Sequence, residues 1–143
     1  MNKNKTTTSS DSENEESIRK DKAIFESVER MMHIDKIYRD AGITLDKMAK
    51  NMGIHRNTLS RVVNNCSGRN FSRYVNAFRI IEAIELLSRR AKKKIKMHAV
   101  WRSVGFASRT PFYNALKEIS GLTIIEIRSG KKPEFPISPI VQG

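Results

Sequence analysis

Arg56, Asn57, Ser60, Arg61 and Asn64 are spaced so that an α-helix would carry them along one side. Arginine and asparagine are the forked side chains that pair with base edges in the major groove, and serine and asparagine also reach phosphates. Further along, Arg109, Thr110, Tyr113, Asn114 and Lys117 repeat the arrangement. The plain reading of either set alone is a solvated polar face. The chemistry that both sets together could do is recognition of a nucleic-acid groove.

The stretches around these residues supply helices to hold them. In Thr44 to Asn65, Leu45, Met48, Ala49, Met52 and Ile54 are apolar at helical spacing, Gly53 interrupts, and Leu59, Val62 and Val63 resume the apolar face. Two short helices joined by a glycine turn form a helix-turn-helix. Ala49 is small where the helices cross, and Gly53 permits the positive φ of the turn. Met97 to Lys117 repeats the unit. Gly105 stands 52 positions after Gly53, Phe106 52 after Ile54 and Trp101 52 after Ala49. The second turn is one residue longer, so Phe112 answers Leu59 and Leu116 answers Val63. Repetition of a whole supersecondary unit is a stronger signal than either copy.

The remaining segments follow in order. Residues 1–20 form a polar tail with no large apolar side chain from Asn2 to Ser17, and composition predicts disorder there. Residues 21–69 form the first subdomain. In it Asp21 to Arg39 reads as a covering helix, with Ile24, Phe25, Val28, Met31, Met32 and Tyr38 inward. Thr44 is placed to cap the next helix, while His55 occupies the cap of the helix after it, where serine would cap better. Cys66 to Arg69 reads as a turn. Residues 70–88 are a linker helix with Phe71, Tyr74, Val75, Phe78, Ile81, Ala83, Leu86 and Leu87 inward. Its length of about 28 Å approaches the roughly 34 Å between successive major-groove faces, so it could hold two recognition helices one turn apart. Residues 89–130 form the second subdomain. They open with RRAKKKIK, whose Lys94 and Lys96 are phosphate-contact candidates beside the plain reading of a solvated charge run. Ser108 is a good cap, Pro111 sits in a first turn where its missing N–H is harmless, and Leu122, Ile125 and Ile127 pack beneath. Residues 131–143, with three prolines, form an extended tail.

The net charge is +12 and the pI about 10.1. From Lys47 to Arg109 there are 15 Lys or Arg against Glu82 and Glu85 alone, whereas residues 1–20 sum to zero. A basic excess confined to the paired units and their connection fits a duplex polyanion better than a membrane surface. No apolar leader, long apolar run or cysteine framework is present; Cys66 is the one cysteine, and a nearby Arg69 would lower its pKa if the thiol were reactive rather than a spacer. These features place the protein in the cytoplasm, associated with the nucleoid. No phosphate-binding glycine loop, His-x3-His pair or Ser-His-acid arrangement can be placed, so no enzyme and no cofactor are expected.

Residues 44–128 resemble the DNA-binding domain of the AraC/XylS transcriptional regulators. The resemblance runs through Ala49-x3-Gly53-Ile54, Leu59-Ser60-Arg61, Gly68-x2-Phe71-x2-Tyr74, Arg79-x3-Ala83-x2-Leu86-Leu87, Val104-Gly105-Phe106-x-Ser108, Phe112, Lys117, Gly121-x-Thr123 and Arg128. The wording from Asn57 to Arg61 is most like versions found in Bacteroidetes, where the domain often ends a longer sensor protein; no sensor domain is recognisable here. The resemblance implies an all-α fold of about seven helices, with two helix-turn-helix units bridged by the linker helix. It further implies a monomer that places both recognition helices in adjacent major grooves of double-stranded DNA and activates transcription by contacting RNA polymerase. Carried over by position, base readers would be Arg56, Asn57, Ser60, Arg61, Arg109, Thr110, Tyr113 and Asn114. Phosphate contacts would come from Ser108 and Lys117, beside Asn64, Lys94 and Lys96 from the residue reading. Trp101 departs from the pattern, standing where a small residue belongs, so the indole must separate the two helices or swing outward. Ile124 replaces a proline and Ile127 an aromatic, and both stay apolar.

Two other functions compete. One is an architectural or accessory factor, such as one used by a mobile element, that binds DNA with little base preference. The other is an interaction module using its basic surface on anionic partners.

Overall fold

The computed structural model describes residues 3–89, 95–134 and 136–141, with side chains from residue 10 onward. Among them are seven α-helices and no strand: α1 Lys3–His33, α2 Leu45–Met52, α3 Arg56–Ser67, α4 Phe71–Arg89, α5 Met97–Val104, α6 Arg109–Ser120 and α7 Ile124–Arg128. The all-α expectation with two helix-turn-helix units, α2–α3 and α5–α6, holds.

Helix α4 divides two cores. Phe71, Tyr74, Val75 and Phe78 recur at three- and four-residue steps and close on Phe25, Val28, Met32, Tyr38, Met48, Leu59, Val62 and Val63. Past Phe78 the apolar seam moves round the helix. Ile80, Ala83 and Leu87 face Val100, Val104, Phe106, Phe112, Leu116, Leu122 and Ile127 instead. Ile81 and Leu86, expected inward, are only half-buried, because each flank of α4 serves a different unit.

The covering helix differs from its expected bounds at both ends. It begins at Lys3 rather than Asp21, so the tail expected to be disordered is helical from there. No Gly or Pro interrupts the chain before Gly42, and Glu16 pairs with Lys20 one turn on at 3.4 Å. Side chains 10–20 are nonetheless exposed, as their composition demands. At the other end the helix stops at His33. Lys36 takes a left-handed conformation (φ 52°), and Ile37–Arg39 make a 3-10 turn.

Tertiary contacts explain that break, since the turn clasps α4 and α5 together. The Tyr38 hydroxyl donates to Glu82 Oε2 at 2.9 Å, and Arg39 donates to both Glu82 oxygens. Arg79 of α4 donates to the carbonyls of Tyr38 (2.7 Å) and Asp40 (3.0 Å), and its guanidinium lies 5.4 Å from the Phe106 ring centre. Gly105, the α5 cap, lies at φ 112° directly against the Tyr38 carbonyl. Burial raises the Glu82 carboxyl, but hydrogen bonds from Arg39 and Tyr38 and the charges of Arg39 and Lys36 outweigh it and hold it below the ordinary carboxylate value. Burial, then the bond to Glu82, pushes the Tyr38 phenol up to about 12.

Three smaller differences concern ends and turns. Cys66 and Ser67 belong to the last turn of α3, which Gly68 ends, and burial pushes the Cys66 thiol up rather than down. Ile125, expected to pack beneath, is exposed, while Leu122 and Ile127 are buried. The C-terminal segment is extended but does not hang free. The Val141 amide donates to the Ser67 carbonyl at 2.7 Å, Arg69 donates to the Ser138 carbonyl at 3.2 Å, and Ile140 packs on the first core.

Candidate nucleic-acid interface

Each recognition helix is fixed by its inner face. Leu59, Val62 and Val63 of α3 are fully buried, which turns Asn57, Arg61 and Asn64 outward. Arg56 and half-buried Ser60 lie on one flank. In α6, Phe112, Ala115 and Leu116 are buried, leaving Arg109, Thr110, Asn114 and Lys117 exposed. Tyr113 is half-buried under the Arg109 guanidinium, 5.0 Å from its ring centre.

The N-terminal ends of α3 and α6 border one cleft of about 570 Å³. Arg56 and Ser60 line it from the first unit, Ala107 and Pro111 from the second, and Ser72, Asn76 and Arg79 of α4 form its floor. The two recognition helices therefore open onto a common side of the molecule. Arg73 of α4 pairs with Glu118 of α6 at 3.1 Å and ties the second unit to the linker helix.

The helix caps reverse the sequence expectation. His55 is an effective cap, its Nδ1 accepting from the Asn57 amide at 3.1 Å, whereas the Ser108 hydroxyl makes no cap bond. Ser108 stays exposed and extended at the cap position, its hydroxyl not bonded to its own helix. Trp101 packs against the edge of the second core. It is half-buried with Arg102 against its ring, while Val100 and Val104 fill the interior of the second unit.

Two of the expected base readers are held by carboxylates. Arg56 Nε lies 2.6 Å from Asp46 in an exposed pair. Arg61 donates through Nη1 and Nη2 to the two oxygens of Asp21 on α1, at 2.5 and 3.0 Å. The Arg61 hydrogen bond, more than its charge, holds the Asp21 carboxyl below the usual range despite partial desolvation. Of the phosphate candidates, Lys96 and Lys117 are exposed, and Asn64 is exposed with its amide turned back to the Ser60 carbonyl at 2.8 Å. Lys94 lies outside the described residues.

Sequence reasoning missed Asp21 and Asp46 as partners of the reading arginines, and Ser72 and Asn76 as the cleft floor. Asp46 was legible only as an acid in the first turn of α2, two residues after the Thr44 cap, and not as a partner of Arg56. Asp21 carried no signal, because it is 40 residues from Arg61. Among the described residues no group of His, Cys, Asp or Glu could hold a metal ion, and no helix is long and apolar enough to cross a membrane.

Two helix-turn-helix units sharing one linker helix and bordering one cleft have the architecture of a DNA-binding domain. Residues 48–130 match the model of a helix-turn-helix domain family of the AraC type, and the chain belongs to that family of transcription regulators. Solved structures share the fold. A protein of unknown function from Listeria innocua aligns with a TM-score of 0.63 at 20% identity, over 76% of this chain and 97% of that one. The C-terminal domain of AraT, a response regulator from Geobacillus stearothermophilus, gives 0.62 at 22%, over 73% and 84%. The C-terminal domain of the two-component response regulator yesN from Fusobacterium nucleatum gives 0.61 at 22%, over 72% and 98%. Comparison with curated proteins gives no match.

Proposed function

We propose that this chain is a sequence-specific regulator that lays α3 and α6 in successive major grooves on one side of a duplex. The observation that carries this reading is the common cleft between the two helix N-termini, floored by the linker helix. Arg56, Asn57, Ser60 and Arg61 read bases in one groove, and Arg109, Thr110, Tyr113 and Asn114 read bases in the next. Asn64, Lys94, Lys96, Ser108 and Lys117 hold phosphates between and beside them. Having two reading helices in one chain supports binding as a monomer. Activation through RNA polymerase, and residence with the nucleoid in the cytoplasm, rest on the family's habit.

Selection of bound sites from a random duplex library at about 150 mM salt, where the Debye length is about 8 Å, tests the proposal. Two short enriched motifs about one helical turn apart support it. One motif alone would reduce the Trp101 unit to a clamp. Strong retention without enrichment would favour the architectural reading. For six to ten phosphate contacts, log K should fall against log salt with a slope of about −5 to −9, and a slope near zero would exclude duplex binding.

A further inference from the structure

Arg61 is exposed on α3 one turn after Asn57, towards the flank of the outward face that meets α1. Its guanidinium meets Asp21 end-on, using one N–H from each terminal nitrogen. That leaves the edge formed by Nε and the second N–H of a terminal nitrogen without a hydrogen bond among the described residues. The carboxylate is the more recessed partner, with its side chain 22% exposed against 49% for Arg61. An arginine normally arrives at a base from many rotamers, and as a free cation it is also drawn to any nearby phosphate. Here both tendencies are curbed. The fork is ordered before DNA arrives, and its charge is offset by the less exposed carboxylate at its tip.

We propose that Asp21 is a specificity-determining residue, a positioning group on α1 that holds Arg61 by its tip. Held in this way, Arg61 presents its remaining two-donor edge to the adjacent O6 and N7 acceptors of a guanine. The inference rests on the proposed function, specifically on base reading by Arg61. Guanine follows from geometry, since it is the base whose major-groove edge offers two neighbouring acceptors. The covering helix thereby takes part in recognition without touching DNA. Arg61 acts as a base reader rather than a phosphate clamp because the pair brings almost no net charge to the duplex.

The experiment compares the full chain with Arg61→Ala, Asp21→Asn, Asp21→Glu and the Asp21→Asn/Arg61→Ala double variant. Each is titrated on the selected duplex and on duplexes substituted at the position that Arg61→Ala relaxes. Thermal melts confirm that every variant is folded. Asp21→Asn should reduce discrimination at that position by about three- to ten-fold, the range set by the cost of ordering one long side chain at binding. It should also steepen the salt slope on substituted duplexes by about one, as a freed cation finds a phosphate. Asp21→Glu should recover part of the discrimination, and in the Arg61→Ala background Asp21→Asn should change neither quantity.

If Asp21→Asn tightens the guanine duplex as much as the others, Asp21 is a restraint on Arg61 and the proposal is overturned. Unchanged discrimination, or a preferred base other than guanine, overturns it too. Should Arg61→Ala itself relax no position, base reading by Arg61 fails first, and that result is distinct from a failure confined to Asp21.

Discussion

Gly53 and Gly105 occupy the same place in the two units, yet replacing them with alanine should have very different consequences. At Gly53 the backbone is left-handed (φ 69°, ψ 29°), and an added Cβ meets nothing within 4 Å. The left-handed conformation costs a non-glycine residue about 1–2 kcal/mol, and the stiffer unfolded chain returns about 0.4–1 kcal/mol, so a net loss of about 1 kcal/mol is expected. At Gly105 φ is 112°, beyond that basin, and strain there is about 1–3 kcal/mol. The Cβ would also overlap the Tyr38 carbonyl oxygen and come within 2.8 Å of Arg79 Nε and 3.0 Å of Arg39 Cα. Two of those three neighbours are backbone atoms, so the clasp itself must withdraw. Withdrawal weakens the Arg79 hydrogen bond to Tyr38, a charge-assisted bond of the kind that contributes about 1.5–3 kcal/mol. Gly105→Ala should therefore destabilise by about 3–5 kcal/mol, against about 1 for Gly53→Ala. Urea unfolding of both variants gives the two values directly. Equal losses would refute the argument that the 3-10 turn is wedged between α4 and α5.

Glu82 should make the clasp acid-sensitive. Its folded-state pKa is depressed below the ordinary 4.5, so its contribution is complete above that value and is lost as pH falls through the folded pKa. The gap in urea midpoint between wild type and Glu82→Gln should therefore be full at pH 7 and shrink as the pH is taken down below 4.5 through the folded-state pKa; a gap that does not shrink with acid would count against the ion cluster. Tyr74 is fully buried with a hydroxyl that has no partner among the described residues, so Tyr74→Phe should be neutral or stabilising by about 1 kcal/mol in denaturant unfolding. His55→Ala should lose about 1 kcal/mol of stability with its cap bond, whereas Ser108→Ala, which breaks no cap bond, should change stability by less than about 0.5 kcal/mol. Ser108→Ala should instead weaken DNA binding to a similar degree on every sequence, as a lost phosphate contact does, and a base-dependent loss would assign Ser108 to reading.

The outline of the fold was legible because its determinants are local. Apolar residues at three- and four-residue steps, the Gly53 and Gly105 breaks and the 52-residue repeat are properties of neighbouring positions, and they marked out both units and the long helix between them. The outward residues of α3 and α6 followed from the same periodicity, since burying Leu59, Val62 and Val63, or Phe112 and Leu116, leaves the opposite side no choice. What local pattern could not supply was anything decided by distant groups. The helix from Asp21 was expected to run to Arg39. It breaks after His33 because Tyr38 and Arg39 gain more from Glu82 and Arg79 than from another helical turn. The Ser108 hydroxyl suits a cap but does not form one, and His55 does, since rotamer and backbone geometry decide between equivalent positions. The pairing of Asp21 with Arg61 likewise depends on how α1 crosses α3, an outcome of packing the first core. Sequence periodicity thus determined which residues face outward, and tertiary packing determined which of them are held, capped or left free.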